Sequence, residues 1–137
     1  MKILMFYCKR FWYKIGRKSL AVDSSMLSRE WECKDCSVIY IHVEKEDEEK
    51  GNSVVQKLVK NIVWHARKTG ASTIVLHSFA HLSESKADPE AAKNLIFKAK
   101  EKLEKKGFDV HVTPFGYFLE FVLHVYDTPI SRVFKSL

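Results

Sequence analysis

The 137-residue sequence has few cysteines, prolines and glycines: three, three and five, respectively. Three thiols cannot supply a framework of disulfides in place of a core, and a hydrophobic content of 46% is enough for an ordinary core. There is no uncharged apolar run of about 18 residues, so we predict no membrane-spanning helix. The apolar run after Met1 is short and lacks a small-residue cleavage site, which predicts a first strand and, by default, a cytoplasmic protein. We therefore expect one domain over residues 1–137.

Cys33 and Cys36 form a single Cys-x-x-Cys motif, and Cys8 is distant in sequence. A structural zinc site needs a second pair of ligands, which His42 or His65 could complete, but nothing at zinc-finger spacing accompanies the cysteines. The motif precedes a strand-like run, whereas a thioredoxin-type redox motif opens a helix. We therefore expect ordinary reduced thiols and predict no metal site and no cofactor.

The net charge of +6 comes entirely from the amino-terminal segment. Residues 1–18 contain six Lys or Arg side chains and no Asp or Glu, whereas the remaining residues contain 17 basic and 17 acidic side chains. Aromatic residues stand among these charges: Tyr7, Phe11, Trp12 and Tyr13. Two interpretations remain open. In one, Lys9 and Arg10 contact RNA phosphates while the aromatic residues stack on bases. In the other, the segment is an amphipathic hairpin with a solvated basic face.

Apolar and β-branched runs predict strands at residues 2–8, 11–15, 36–43, 73–76, 108–112 and 117–126. Apolar residues at three- and four-residue steps predict one helix from Gly51-Asn52-Ser53 to Gly70 and another from Asp88-Pro89 to Gly107. We further predict a turn at Asp23-Ser24-Ser25, a solvated acidic loop at 44–50 and a short helix within 128–137. Lys102, Lys105 and Lys106 either contact RNA or only complement the carboxyl end of the second helix.

This order of elements predicts an α+β fold, in which a mixed β-sheet is packed with two main helices and the strand-helix-strand units cross over right-handed. The strand after Gly70 delivers His77 and His81 to its carboxyl end, and a Pro114-Phe115-Gly116 turn precedes the last long strand. Two such strand ends can form the walls of one pocket. His77 is either a working residue of that pocket or a structural histidine.

Several short motifs occur in a characteristic order: the Met-Lys-Ile-Leu opening, Val43-Glu44, Phe79-Ala80-His81-Leu82-Ser83, the helix after Pro89, Lys106-Gly107-Phe108-Asp109-Val110, Pro114-Phe115-Gly116-Tyr117 and Thr128-Pro129-Ile130. Together they resemble the amino-terminal editing domain of archaeal-type threonyl-tRNA synthetases, which removes serine mischarged onto threonine tRNA. The resemblance covers nearly the whole chain. It implies a D-aminoacyl-tRNA deacylase-like fold, usually dimeric. It also implies a pocket built largely from backbone groups, in which the ribose hydroxyl of the tRNA assists hydrolysis.

The resemblance also implies a set of site residues. Its histidine falls on His81 and its pocket backbone on Val43, Ala80, Phe115 and Gly116, followed by Tyr117 and Phe118. Two polar positions differ, because Leu119 stands where the family has a lysine and Arg132 where it has a glutamate. A leucine cannot hold a phosphate, and an arginine cannot accept a proton.

The leading hypothesis is an editing module that hydrolyses mischarged seryl-tRNA, with altered or reduced activity. The alternative is a catalytically inactive module of the same fold, which binds the tRNA acceptor end or a threonyl-tRNA synthetase lacking its own editing domain. A small-molecule or D-amino-acid-related hydrolase on the same scaffold is a third hypothesis.

Overall fold

A computed structural model describes residues 1–19 and 24–137. The strands are β1 Lys2–Lys18, β2 Glu30–His42, β3 Thr73–Ser78, β4 Asp109–Val112, β5 Tyr117–Val125 and β6 Arg132–Ser136. The helices are the single turn α1 Asp47–Lys50, then α2 Asn52–Thr69 and α3 Pro89–Lys105, with 3-10 turns at Ser24–Met26 and Pro129–Ser131. Asp23 of the predicted Asp23-Ser24-Ser25 turn lies outside the described residues. None of the helices described is both long and apolar enough to cross a membrane.

The strands form one sheet in the order β4-β3-β2-β1-β5, and β6 also pairs with β1. β2, β3 and β4 are parallel, whereas β1 runs antiparallel to β2, β5 and β6. The predicted α+β class, a mixed sheet with two main helices, is confirmed. Because β2, β3 and β4 point the same way, their carboxyl ends meet at one edge of the sheet.

The two long helices follow their predicted boundaries because their local signals are strong. The side chain of Asp88 caps α3 by accepting the amide N–H groups of Glu90 and Ala91, and Pro89 occupies the first turn. α2 ends at Gly70, whose φ of 78° lies in the left-handed region that glycine tolerates. The fully buried side chains include Val55, Leu58 and Ile62 of α2 and Ile96, Ala99 and Leu103 of α3. These faces form the main core with one face of the sheet.

β1 is one strand of 17 residues, so the prediction of separate strands at 2–8 and 11–15 is wrong. Ile3 and Met5 belong to the core beneath the helices, whereas Phe11 and Tyr13 belong to a second core on the opposite face. All four are odd-numbered and would share one face in a regular strand. The alternation therefore reverses between them, near Lys9, where pairing with β5 is also irregular. In the sequence, this reversal looks like the break between two strands.

β2 has a matching reversal at Asp35, opposite Lys9. Asp35 has a φ of 51°, in the left-handed region. β2 begins at Glu30, so residues 30–35 are part of a strand that the sequence pattern predicted only from residue 36. Ile39 contacts the helix-side core, whereas Trp31 contacts the second core. The paired reversals allow two long strands to contribute to two cores.

The reversal at Asp35 also brings Cys33 and Cys36 together as a disulfide. In an unbroken strand, residues three apart point to opposite faces and their sulfurs cannot meet. The expectation of reduced thiols at this pair is therefore wrong. Cys8 remains a buried thiol, and burial raises its pKa to about 12.

Beyond the reversals, β1 and β2 curl over the face of the sheet that is remote from the helices. The Tyr13 hydroxyl is hydrogen-bonded to Nε2 of His111 at 2.7 Å, and the Trp31 and His111 rings stack with centroids 3.7 Å apart. His111 lies in β4, so these contacts cross over β3. Burial lowers the pKa of His111 to about 4. The second core is enclosed beneath this curl.

The carboxyl-terminal segment forms strand β6, so the predicted short helix within 128–137 is wrong. β6 pairs with residues 2–6 of β1, whereas β5 pairs with β1 from Cys8 onward. Without β6, the edge of residues 2–6 would have unpaired backbone groups. This long-range pairing outweighs the helix-like spacing of the apolar residues in the tail.

The acidic run at 44–50, predicted to be a solvated loop, contains two buried carboxylates, and that prediction is wrong for them. The α-ammonium of Met1 lies 2.7 Å from Oε1 of Glu44 and 3.0 Å from Oδ2 of Asp47. Asp47 is fully buried and also accepts the backbone N–H of Glu44 at 2.7 Å. Each charge is buried because the others neutralise it; removing one would leave an uncompensated charge.

This ion cluster makes the stability of the fold depend on pH. Burial by itself raises the pKa of Glu44, but hydrogen bonds from the Met1 ammonium, Ser83 and Lys2 outweigh burial and lower the pKa to about 2. Because this pKa lies below the ordinary value of 4.5, Glu44 stabilises the fold above about pH 4.5, and that contribution is lost as the pH falls toward about 2. We expect the urea midpoint to fall over this window.

The Glu44→Gln variant checks this assignment. It should be less stable than the native chain at pH 7, and its urea midpoint should fall less between pH 4.5 and pH 2. Glu101→Gln, which removes an exposed carboxylate from α3, is the control and should retain the native pH profile. Identical pH profiles for Glu44→Gln and the native chain would contradict the assignment.

Candidate functional site

A cleft of about 480 Å³ opens at the edge of the sheet where β2, β3 and β4 end. Three segments form its walls: the end of β2, the loop after β3 with the start of α3, and the turn that leads into β5. The lining includes every residue predicted for the substrate site except Arg132, namely Val43, Ala80, His81, Phe115, Gly116, Tyr117, Phe118 and Leu119. The structure thus brings together two sequence segments that lie more than 30 residues apart.

The loop that carries His81 is fixed by the buried side chain of His42. Nδ1 of His42 accepts the backbone N–H of Leu82 at 2.9 Å, and its Nε2 lies 2.7 Å from the carbonyl oxygen of Ser85. Since the carbonyl can only accept, Nε2 is the protonated nitrogen and donates to it. One imidazole thereby holds two points of the loop.

Glu44 fixes the same loop from the other side. Its Oε2 accepts the hydroxyl of Ser83 at 2.7 Å, while its Oε1 pairs with the Met1 ammonium. The backbone N–H of Ala87 donates to the carbonyl of Val43 at 3.1 Å. The loop is therefore bonded to the end of β2 along most of its length, so the cleft has a preformed wall.

His81 lies at the surface of the cleft. Its side chain is exposed, its ring meets the edge of the Phe79 ring with centroids 4.9 Å apart, and it makes no hydrogen bond within the described part of the chain. Both ring nitrogens are thus available to a water molecule or a ligand. An imidazole in this position can orient water or exchange a proton with it.

His77 also lines the cleft but is buried. Its Nδ1 is hydrogen-bonded to Oγ1 of Thr113 at 2.9 Å, and its ring packs against those of Tyr40 and Phe121. Burial lowers the pKa of His77 to about 4, which makes it a poor proton acceptor at neutral pH. These contacts favour a structural role for His77.

The opposite wall is formed by the turn between β4 and β5. Gly116 has a φ of 84°, which a side chain would disfavour, and its carbonyl accepts the N–H of Ser19 at 2.8 Å. A Cβ added to Gly16 would lie 3.1 Å from the carbonyl oxygen of Phe118, so this glycine permits the close approach of β1 to β5. The side chain of Phe118 is 61% exposed at the cleft, whereas Leu119 packs into the second core.

Three other candidate residues lie outside the cleft. Arg132 begins β6, opposite Phe6, and its guanidinium donates to the carbonyl of Tyr126 at 2.8 Å. Lys9 and Arg10 lie at the reversal in β1, where Arg10 pairs with Glu32 at 3.1 Å. Arg132, which stands where the resemblance places the family's glutamate, therefore does not line the cleft.

Lys86 is the main residue of the cleft that the sequence did not reveal. It is exposed, it is the sole Lys or Arg among the described lining residues, and no Asp or Glu joins it there. The available signal was its place between β3 and the Asp88-Pro89 helix start, since such loops border ligand sites in parallel sheets. Across the same described ranges, no group of three His, Cys, Asp or Glu side chains is arranged to hold a metal ion.

Comparison with known proteins supplies the family. The model of the archaea-specific editing domain of threonyl-tRNA synthetase matches residues 1–137. A threonine–tRNA ligase of Hyperthermus butylicus is 34% identical over 141 residues, which cover 99% of this chain and 23% of the ligase. One from Thermofilum pendens is 31% identical over 138 residues, covering 100% of this chain and 22% of the ligase. The chain thus spans less than a quarter of these relatives.

A solved structure, the c-Myc DNA Unwinding Element Binding Protein, has a TM-score of 0.72 and 12% identity, and the match covers 100% of this chain and 99% of that one. At this identity, the likeness establishes the fold alone. It agrees with the predicted fold class, a mixed β-sheet packed with two main helices. Together with the match over residues 1–137, these comparisons show that the chain belongs to the family of archaea-specific editing domains of threonyl-tRNA synthetase.

Proposed function

We propose that this domain hydrolyses the ester of mischarged seryl-tRNA. The observation that carries the proposal is the cleft itself, in which His81 faces the Pro114-Phe115-Gly116 turn in a member of an editing-domain family. Its volume of about 480 Å³ lies within the usual range for small-ligand pockets. The 3'-terminal adenosine and its esterified serine are ligands of this size class.

In the proposed reaction, water attacks the carbonyl carbon of the ester and the bond to the ribose oxygen breaks. The water's proton passes to that oxygen, which releases serine and uncharged tRNA. No carboxylate lines the described cleft, so the reaction depends on positioning more than on a strong base. His81 orients the water, and the fixed carbonyls of Val43 and Gly116 retain a lone pair for the substrate. The ribose hydroxyl of the tRNA assists, as the resemblance implies.

Lys86 supplies the positive charge that is missing at Leu119. Its ammonium is at the surface of the loop opposite the Pro114-Phe115-Gly116 turn, where it can meet the terminal phosphate of the tRNA. This assignment gives the cleft one cation from a different segment, and it accounts for a leucine at a position where the family has a lysine.

Replacement of His81 tests the enzyme claim. We expect His81→Ala to lower kcat for deacylation of seryl-tRNA by about 10²-fold, the usual contribution of one positioning or acid-base group. His124→Ala is the matched control, because His124 is exposed on β5 and does not line the cleft. The measurement is release of labelled serine from seryl-tRNA and from a panel of other misacylated tRNAs. Release by the native domain no faster than in buffer would end the claim.

Replacement of Lys86 separates binding from chemistry. Lys86→Gln should raise KM for seryl-tRNA by about 10-fold with little change in kcat, since a phosphate contact acts on ground state and transition state alike. Lys86→Arg should restore KM. Lys93→Gln, on the first half of α3 outside the cleft, should leave both constants unchanged. Equal KM values for Lys86→Gln and Lys93→Gln would remove Lys86 from the site.

A second candidate function is a binding module without hydrolysis. Leu119 in place of a lysine, and the position of Arg132 outside the cleft, favour it. In that case His81→Ala would leave tRNA affinity unchanged. Neutralising Lys9 and Arg10, or replacing Arg132 by Ala, would weaken binding and flatten its dependence on salt. Micromolar or weaker binding of both charged and uncharged tRNA at every salt concentration would exclude this candidate.

We further propose that residues 1–137 are a single domain that forms a homodimer in the cytoplasm and serves a threonyl-tRNA synthetase lacking its own editing domain. Exposed apolar side chains on the outer strands support self-association, among them Val122 and Phe134. Sedimentation equilibrium should give twice the monomer mass for the native chain and the monomer mass for Val122→Lys with Phe134→Lys. A native monomer at micromolar concentration would contradict the dimer.

A further inference from the structure

A second groove, with a volume of about 1090 Å³, lies away from the cleft, between α2 and α3. Its lining is strongly basic: Lys60, Arg67, Lys68, Lys102, Lys105 and Lys106. No Asp or Glu belongs to the described lining. Residues 19–137 carry no net charge in total. The groove therefore concentrates positive charge within an otherwise neutral part of the chain.

These cations are not neutralised by the protein. None of the six forms an ion pair within the described ranges, and α2 contains no acidic residue. The ion pair within α3 joins Glu104 to Lys100, and Lys100 does not line the groove. The helix dipole accounts for cations in a last turn, but Lys60 lies in the middle of α2. The basic carboxyl-terminal ends of α2 and α3 lie side by side, and their electrostatic repulsion is unfavourable. A bound polyanion would relieve that repulsion.

Trp64 adds an aromatic surface to this groove. Its side chain is 39% exposed, and the ammonium of Lys135 lies 5.8 Å from the ring centroid. Large exposed aromatic rings within a basic groove provide stacking surfaces for bases or riboses. The combination favours a nucleic acid over an acidic protein segment, for which an exposed indole among cations offers no comparable contact.

α3 connects the groove to the cleft. Its first turn contributes Pro89 and Ala92 to the cleft, and its last turn contributes Lys102 and Lys105 to the groove. The 17 residues of α3 span about 25 Å at the helical rise per residue. A nucleic acid whose end occupies the cleft can therefore extend along the helical layer into the groove.

We propose that the groove between α2 and α3 binds the phosphate backbone of a double-helical segment of the same tRNA whose acceptor end enters the cleft. The proposal deepens the proposed function and rests on it for the choice of RNA. It assigns substrate recognition to the helical layer, whereas the basic segment at residues 1–18 lies on β1 and does not line the groove.

The test compares two triple variants of equal charge. The groove variant is Lys102→Gln with Lys105→Gln and Lys106→Gln, at the end of α3. The control variant is Lys57→Gln with Lys93→Gln and Lys98→Gln, on α2 and α3 but outside the groove. Fluorescence anisotropy measures affinity for uncharged tRNA at several salt concentrations. We expect the groove variant to bind about 10-fold more weakly, with a salt slope lower by about 2 to 3, and the control to resemble the native chain.

A second measurement uses Trp64 directly. Binding of tRNA should quench tryptophan emission in the native chain, and Trp64→Phe should abolish the change with affinity reduced by about 10-fold or less. This result requires contact at the groove, so a general loss of charge or of folding cannot imitate it. Equal affinities and slopes for the two triple variants, or quenching that survives in Trp64→Phe, would overturn the proposal. So would an acidic peptide that binds at the groove and leaves tRNA binding unchanged.

Hydrolysis of 3'-seryl-adenosine separates this proposal from the proposed function. That substrate occupies the cleft alone, so the groove variant should hydrolyse it at the native rate. If no form of the chain hydrolyses it while the groove variant loses tRNA affinity, the deacylase claim fails and the groove assignment stands. If hydrolysis is normal and the groove variant binds tRNA normally, the groove assignment fails alone.

Discussion

The buried α-ammonium of Met1 links the start of β1 to the loop that carries His81, the candidate catalytic residue. It is enclosed with Asp47 and Glu44, and Glu44 also holds Ser83 in the loop that carries His81. A charge removed from water is stable only while its partners remain in place. The position of the loop is therefore coupled to the chain terminus and to the single turn α1. An element that reads as a solvated acidic linker is in fact the anchor of one wall of the cleft.

The features predicted correctly are those determined over a few residues. Asp88 and Pro89 specify a helix start by side-chain capping and a fixed φ, and Gly70 specifies a stop by a left-handed backbone. The cleft was predictable for a similar reason. His81 and Gly116 each follow a strand within a short motif, and a parallel arrangement of those strands brings their ends to one edge of the sheet.

What could not be predicted depends on distant partners. The reversals at Lys9 and Asp35 are opposite each other in the β1–β2 pair, and neither local sequence shows that one strand continues through it. The burial of Asp47 can be predicted only when it is known that an ammonium lies beside it. The tail forms β6 because residues 2–6 need a partner, which overrides a spacing compatible with a helix. The sequence around Lys86 predicts that it lies in a loop, but nothing in it indicates that this lysine lines the cleft.

Two strands share one side of β1, which leaves three outer strands in the described sheet: β4, β5 and β6. β4 has four residues, and β6 has five with Arg132 and Lys135 among them; short or charged edges resist pairing with other chains. β5 has nine residues and exposes Phe118 and Val122. It is thus the edge at which a partly unfolded or crowded population would begin to aggregate, and the colloidal stability of the domain depends on keeping that strand covered.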